Sequence, residues 1–399
     1  MPPSSCGACE HSEDRTLSDL VHRAIDLIPT LRARSEAIEQ NRRVPLDLAQ
    51  ELAAAGLFRM LVPASLGGLE VHPRVFVEVL ASLARGDGAA AWCVMTGSTT
   101  SLVGAYLPTS GAAALFKEDP DVIMAGVFAP LGRARPVDGG YRLTGRWPFA
   151  SGSENASWRL GGGLVMQDDG PRKLESGQAE IRSFFFRGSE STIHDTWHTS
   201  GLCGTGSHDM EVEEVFVPSE RTTCVLVDPP QHAGPLYRFP IFGLLAAGVA
   251  AVGLGIARAA VDDLRALAKE KKKFGGKRSM ADGELVQVEV ARAEGELRAG
   301  EALLRHTCDE VWAAATDGEL SLSDRAALRL AATQATRAAV RSVDAMYQAG
   351  GGTALYRSSP LQRHLRDVHT VTQHIMVSPA TMKTIGRVLL DVPTDVSQL

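Results

Sequence analysis

Basic residues are not in excess in this chain: 41 Lys and Arg stand against 47 Asp and Glu over 399 residues, a net charge of −6. A nucleic-acid surface needs a basic face, so that class of partner is excluded. Cysteine is scarce as well. Cys6 and Cys9 form one CxxC beside His11, but no second ligand pair sits at metal-binding spacing. No metal site is therefore expected, and residues 1–13 read as a disordered tail. Cys93, Cys203, Cys224 and Cys308 show no disulfide framework, which points to a reducing cytoplasm. The first twenty residues are polar, so no signal peptide is expected. No GxGxxG follows a strand and opens a helix, so any nicotinamide-derived electrons must come from another protein.

Long hydrophobic runs are missing with one exception. Residues 240–257 are uncharged, hold four glycines and five alanines, and run directly into Arg258, Asp262, Asp263 and Arg265. The length approaches that of a membrane span. A lone span of such small residues reads better as a helix buried on all sides in a bundle, and no membrane is expected as a partner.

Three textures follow one another. Residues 14–120 are rich in Ala and Leu at helical spacing: Leu46, Ala49, Leu52, Ala53 and Leu57 recur at i, i+3 and i+4, with Gly56 following the helix end. Residues 62–68 form a loop by their Pro and Gly content, and residues 88–106 predict a small-residue helix stopped by Pro108. Residues 121–235 carry short β-type runs at 122–127, 141–144, 183–186 and 211–217, and Asp138-Gly139-Gly140 predicts a tight hairpin. From 236 to 399 helical spacing returns, with long stretches at 284–315 and 323–348. Helices, then strands, then helices predict an α+β chain: an N-terminal helical domain, a middle β-barrel or sandwich domain, and a C-terminal four-helix bundle.

Certain motifs in this order resemble the acyl-CoA dehydrogenase superfamily along nearly the whole chain. They are Phe274-Gly275 after a helix, Gln348 with Gly350-Gly351-Gly352, Pro360-Leu361-Gln362-Arg363, and Arg366-Asp367. A second set is similar to one branch, the oxygenase components of two-component monooxygenases that use reduced flavin. This set comprises Gly145-Arg146-Trp147-Pro148-Phe149-Ala150-Ser151-Gly152, Asp195-Thr196-Trp197-His198 leading into residues 201–207, and Gln373-His374 after Arg366-Asp367. Chemistry separates this branch from the dehydrogenases. Dehydrogenation needs a carboxylate to take the α-proton of a thioester. The two places where the superfamily puts that base, residues 368–380 and the region of Leu245, hold no Asp or Glu.

The resemblance implies a flavin-dependent monooxygenase that hydroxylates an electron-rich aromatic small molecule, indole-, phenol- or polyketide-like, with O2 through a C4a-hydroperoxide. Reduced flavin, FADH2 in preference to FMNH2, would come from a separate NAD(P)H-dependent reductase, and the chain would form a homotetramer, a dimer of dimers. An acyl-CoA dehydrogenase with an unusual base, or an N- or S-oxygenase of the same fold, remains the alternative. Phe128, Trp147, Phe149, Ser151, Trp197, Thr205, Ser207, Lys271, Phe274, Gln348, Gly350 and Gly351 would lie against the cofactor. Ser151 is either a strand-end serine capping its own backbone or a hydroxyl at flavin N5, where it would hold the N5 proton. His374 is either a packed helix histidine or a catalytic group at the substrate, as a neutral or a protonated imidazole. His369, five residues earlier, points elsewhere on a helix. Trp197 either stacks on the flavin or anchors the β unit. Lys271 either stands where the superfamily has an Arg that reaches a neighbouring subunit's flavin or belongs to a solvated helix end. Trp92 and Thr100 join His374 at the substrate. Phenol-hydroxylating relatives carry a histidine near Thr99 and Thr100, and its absence here favours a substrate that is nucleophilic while neutral, such as an indole, an electron-rich polyketide ring, an amine or a sulfide.

Overall fold

The computed structural model describes residues 19–272, 278–397 and 399. Residues 19–26 are helical and lead into α1 (Ile28–Asn41), α2 (Leu46–Ala54), α3 (Pro73–Gly86), α4 (Gly88–Leu102) and α5 (Thr109–Phe116). Gly56 takes a left-handed φ of 84° just after α2, and α4 passes into a tighter turn over Val103–Tyr106 before Pro108. Asp87 caps α4, its carboxylate accepting from the Ala90 N–H.

Eight strands follow: β1 (Met124–Val137), β2 (Gly140–Trp147), β3 (Trp158–Gln167), β4 (Gly170–Pro171), β5 (Ile181–Arg187), β6 (Thr192–His194), β7 (Asp209–Pro218) and β8 (Thr222–Thr223). They form one sheet in the order β6-β7-β2-β1-β3-β5-β8, with β4 attached to β3 and only the β1–β3 pair parallel. Residues 138–139 link β1 to β2, and Gly139 supplies the left-handed φ of 74° that the tight turn requires. The central strand β3 carries Gly161-Gly162-Gly163 and lies outside the β-type runs that the sequence marks. These glycines are needed because β3 crosses the Trp147 ring on one side and the Phe128 carbonyl on the other. A Cβ on Gly161 would sit 2.6 Å from the indole, and one on Gly162 would sit 2.2 Å from that oxygen.

The chain returns to helix with α6 (Ile241–Glu270), α7 (Glu284–Asp317), α8 (Leu322–Gly350), α9 (Pro360–Val371) and α10 (Pro379–Leu389). Helix α6 is long and apolar enough to cross a membrane, with a mean hydropathy of 2.0 over its most apolar window, yet 89% of that window is buried inside the protein. It packs against α3, α4, α8 and α9, so the bundle shares one core with the N-terminal helices. Cys6, Cys9, His11 and Phe274 lie outside the described residues.

Candidate active site

Three parts of the chain meet at one hydroxyl. Trp92, on α4, donates its indole N–H to Ser151 Oγ at 3.1 Å. Ser151 follows Phe149, whose φ of 66° is left-handed, in the turn after β2. His374 lies beyond the end of α9 at the start of a short turn, and its ring meets the Trp92 indole edge-on at 5.5 Å. Behind Ser151 stand Ser207, at 2.6 Å, and Thr205, a further 2.6 Å on, both buried.

Above this buried group the site opens. Phe149 is 67% exposed and meets the half-buried Trp197 edge-on at 6.1 Å. A large aromatic held in a left-handed backbone and left to solvent implies an apolar occupant. Exposed rings beside a buried hydroxyl suit a flat heteroaromatic group that stacks on one face and hydrogen-bonds along one edge. A flavin fits that description.

The loop 195–207 supplies Trp197 and is tied down on three sides. Arg42, at the end of α1, grips the Asp195 carboxylate with two N–H groups at 2.5 and 2.9 Å and reaches the Trp197 carbonyl at 3.2 Å. His208 Nδ1 accepts from the backbone N–H of both Thr196 and Trp197. On the bundle side, Arg366 donates to the Ser200 carbonyl and Asp367 accepts from the Leu202 N–H at 2.6 Å. Gly201 is required there, since a Cβ would lie 2.2 Å from the Arg366 carbonyl.

Burial sets the protonation of this site. It pushes the His374 imidazole down to about 4, with Arg329 adding a smaller push the same way. His374 Nδ1 accepts from the Met376 N–H at 3.3 Å. The ring is therefore neutral near pH 7 and carries its proton on Nε2. Of the two sequence readings, the neutral form is the one this environment selects. Burial also pushes Asp367 up to about 7. Because the folded state holds this proton more tightly than the unfolded chain, the associated stability is full below the ordinary value of 3.8 and is lost as pH rises through 7. Asp367→Asn keeps an acceptor for Leu202 and removes the titration. Urea unfolding should show it stabilised over the parent at pH 8, by at most about 4 kcal/mol, with no gain at pH 4. An equal gain at both pH values would contradict this account.

Several expectations need correction. Trp147 is fully buried beneath the sheet with its N–H donated to the Gly162 carbonyl at 2.8 Å, so it is a core residue that no cofactor can touch. Thr100 is also fully buried, its hydroxyl donated back to the Thr96 carbonyl, and cannot meet a substrate. The half-buried Thr96, one turn from Trp92, is the residue of α4 that looks outward, and the sequence reading missed it. Thr205 and Ser207 reach the site only through Ser151. The backbone around them is spent internally: the Thr205 and Gly206 N–H groups bond to the Leu202 and Cys203 carbonyls. Phe128 is half-buried and packs against the cluster that holds Met124, Trp158 and Phe185.

His369 pairs with Asp344 at 2.9 Å on the bundle surface, apart from His374. Lys271 donates to the Gly350 carbonyl at 3.2 Å, which joins the end of α6 to the tip of α8, where Gln348 and Gly351 are exposed. This second cluster is separate from the Ser151 group. Arg42 and His208, which hold the Trp197 loop, were also missed, and Asp367 was marked only as part of the Arg366-Asp367 motif.

Two family descriptions match: acyl-CoA dehydrogenase, N-terminal domain, over residues 13–117, and acyl-CoA dehydrogenase, C-terminal domain, over residues 247–379. The chain is 33% identical over 356 residues to the indole-3-acetate monooxygenase of Pseudomonas putida, covering 89% of each. It is 31% identical over 373 residues to HsaA of Mycobacterium tuberculosis, a flavin-dependent monooxygenase oxygenase subunit, covering 89% of this chain and 91% of that one. Among solved structures, XiaF from Streptomyces sp. in complex with FADH2 and glycerol superposes with a TM-score of 0.88 at 25% identity, over 96% of this chain and 98% of that one.

Proposed function

Because the chain belongs to the acyl-CoA dehydrogenase superfamily, as an oxygenase component of a two-component flavin-dependent monooxygenase, we propose that its substrate is a neutral, electron-rich aromatic of the indole type. The observation that carries this reading is the state of His374. With Nδ1 accepting from Met376 and the proton on Nε2, the ring can donate a hydrogen bond to a substrate but cannot strip a phenol of its proton through that nitrogen. A substrate that is nucleophilic without ionising suits such a site, and the name of the Pseudomonas putida relative agrees.

Phe149 and Trp197 would hold the flavin ring system, and Ser151 its N5 edge. When bound, the reduced flavin supplies the oxygen activation, one atom going to the substrate and the other to water. The protein's own residues do the rest. Trp92 and the hydroxyl group behind Ser151 hold that side chain in one place. The buried wall of α4 keeps water away from it, and His374 orients the substrate from the opposite side. The test is to supply chemically reduced flavin and oxygen to the protein with either an indole or a resorcinol-type phenol. Hydroxylated indole, at a yield flat between pH 6 and 8, is the expected result. Product from the phenol alone, rising as the phenol ionises, would overturn the reading.

Ser151→Ala should raise the share of consumed oxygen recovered as hydrogen peroxide. One hydrogen bond of about 1–2 kcal/mol corresponds to roughly 5- to 30-fold faster loss. Peroxide yield equal to the parent's would leave Ser151 with a structural role only.

FAD rather than FMN, and a homotetramer, complete the proposal. Gly351 takes a left-handed φ of 57°, and its neighbour Gly352 is equally open. Leu355 and Tyr356 just beyond them are 70% and 69% exposed, and on α7 Leu285 is as exposed as Tyr356, with Val288 less so. Such apolar surface suits burial against another copy of the chain, with the glycine tip turned to its cofactor. Light scattering should give four chains per particle, and reduced FAD should bind more tightly than reduced FMN. A monomer binding both equally would refute this part.

A further inference from the structure

The hydroxyls behind Ser151 form a chain with a direction. Trp92 Nε1 is only a donor, and it gives its hydrogen to Ser151 Oγ. At the far end, the Leu202 carbonyl is only an acceptor, and it receives the Thr205 hydroxyl at 2.8 Å. Between them, Ser151, Ser207 and Thr205 are linked by two contacts of 2.6 Å, each of which either partner could donate. Three hydroxyl protons are available, and the protein uses all three in only one way. Thr205 donates to Leu202, Ser207 donates to Thr205, and Ser151 donates to Ser207. The reverse order leaves the Ser151 proton without a protein acceptor and takes the Thr205 hydroxyl from Leu202. Thr205 and Ser207 are buried, and once an occupant covers Ser151 water offers no alternative.

In the favoured direction the Ser151 oxygen has spent its proton on Ser207 and one lone pair on Trp92. What it can still offer an occupant is a single lone pair. Oxidised and reduced flavins differ at the atom in question: oxidised N5 is an acceptor, and reduced N5 carries a hydrogen. We propose that Thr205 and Ser207 are positioning residues that fix Ser151 as a hydrogen-bond acceptor, so that the site selects reduced flavin over oxidised flavin. This rests on the reading that Ser151 faces N5. Its consequence is that the spent, oxidised cofactor is released to the reductase without a conformational switch. Binding oxidised flavin through N5 would require all three protons to reverse and the Leu202 bond to be lost, a penalty of about 2- to 10-fold in affinity.

The test is an anaerobic titration of the purified protein with oxidised and with photoreduced flavin, read as the ratio of the two dissociation constants. Ser207→Ala removes the acceptor for the Ser151 proton, which is then free to point at oxidised N5. The expected result is tighter binding of oxidised flavin and a ratio reduced by about 2- to 10-fold. Thr205→Val should move the ratio the same way, because Ser207 then turns its proton toward Ser151. Ser151→Ala should weaken reduced flavin alone. A simple packing role for Ser207 predicts equal weakening of both redox states, and that result overturns the proposal while leaving Ser151 at N5. If Ser151→Ala changes neither constant, the placement of Ser151 itself fails, and the proposal with it. The unaltered protein gives an independent check with 5-deazaflavin, where carbon replaces N5. Its reduced form should bind more weakly than reduced flavin and its oxidised form as oxidised flavin does; equal binding of the two reduced forms would also overturn the proposal.

Discussion

His374→Ala should cut product formation by about 10²-fold or more, while oxygen consumption with reduced flavin continues and the oxygen appears as peroxide. The size follows from the position of the ring. It meets the Trp92 indole edge-on with Nδ1 turned to the Met376 N–H, and in the proposed role Nε2–H would orient the substrate, a contact that the alanine removes. Flavin affinity should change little. His369→Ala is the control, because that ring is bound to Asp344 outside the site. The pH profile separates a neutral ring from an imidazolium. With its proton affinity held down to about 4, His374 keeps one state across the neutral range, and its contribution to coupling should be flat from pH 6 to 9. A limb near 6.5 that disappears in the mutant would show that the charged form does the work. The sign for stability is the opposite of that for Asp367. The folded state binds the His374 proton less tightly than the unfolded chain, so its contribution is present above 6.5 and is lost as pH falls through about 4.

Trp147→Ala should destabilise the protein by about 3–5 kcal/mol, the usual cost of removing a buried aromatic. Gly132, Gly145 and Gly161 surround the ring so closely that a Cβ on any of them would lie 2.6–2.7 Å from it, and Phe186 stacks 6.1 Å away. A sheet built around one indole cannot close the space it leaves. The Gly162 carbonyl would also lose its donor, so Trp147→Phe, which keeps most of the volume, should still cost about 1–3 kcal/mol. Urea unfolding measures the loss, and flavin titration of the folded protein should match the parent. Tenfold weaker flavin binding in a folded Trp147→Phe protein would mean that the ring influences the cofactor after all.

The same residues show where a sequence can and cannot be read. The long helices of the bundle were legible because their exposed and buried faces alternate at helical spacing, and Gly56 and Asp138-Gly139 mark turns by backbone chemistry alone. Strand β3 was not legible. Its three glycines answer to the Trp147 ring and the Phe128 carbonyl, contacts made by residues distant along the chain. Helix α4 hid its orientation for a different reason. It is buried almost all round, so no contrast of polarity distinguishes Thr96, which looks outward, from Thr100, which does not. Trp147, Phe149 and Ser151 lie within five residues, yet one is core, one is exposed and one is in the hydroxyl chain. The left-handed φ at Phe149 turns the chain between them, and nothing in the composition of that motif announces it.

The tethering of the Trp197 loop has a consequence for how this protein could be rebuilt. Its anchors come from α1, from the β region and from α9, so the loop acts as a keystone to which each region contributes one face. A chimera that takes the β region from a relative would inherit the loop but not its matching Arg42, Arg366 and Asp367. Such grafts should work only when the loop and its two docking faces travel together. Recombination among these enzymes is thus constrained by contacts that lie outside the β region itself, at Arg42, Arg366 and Asp367.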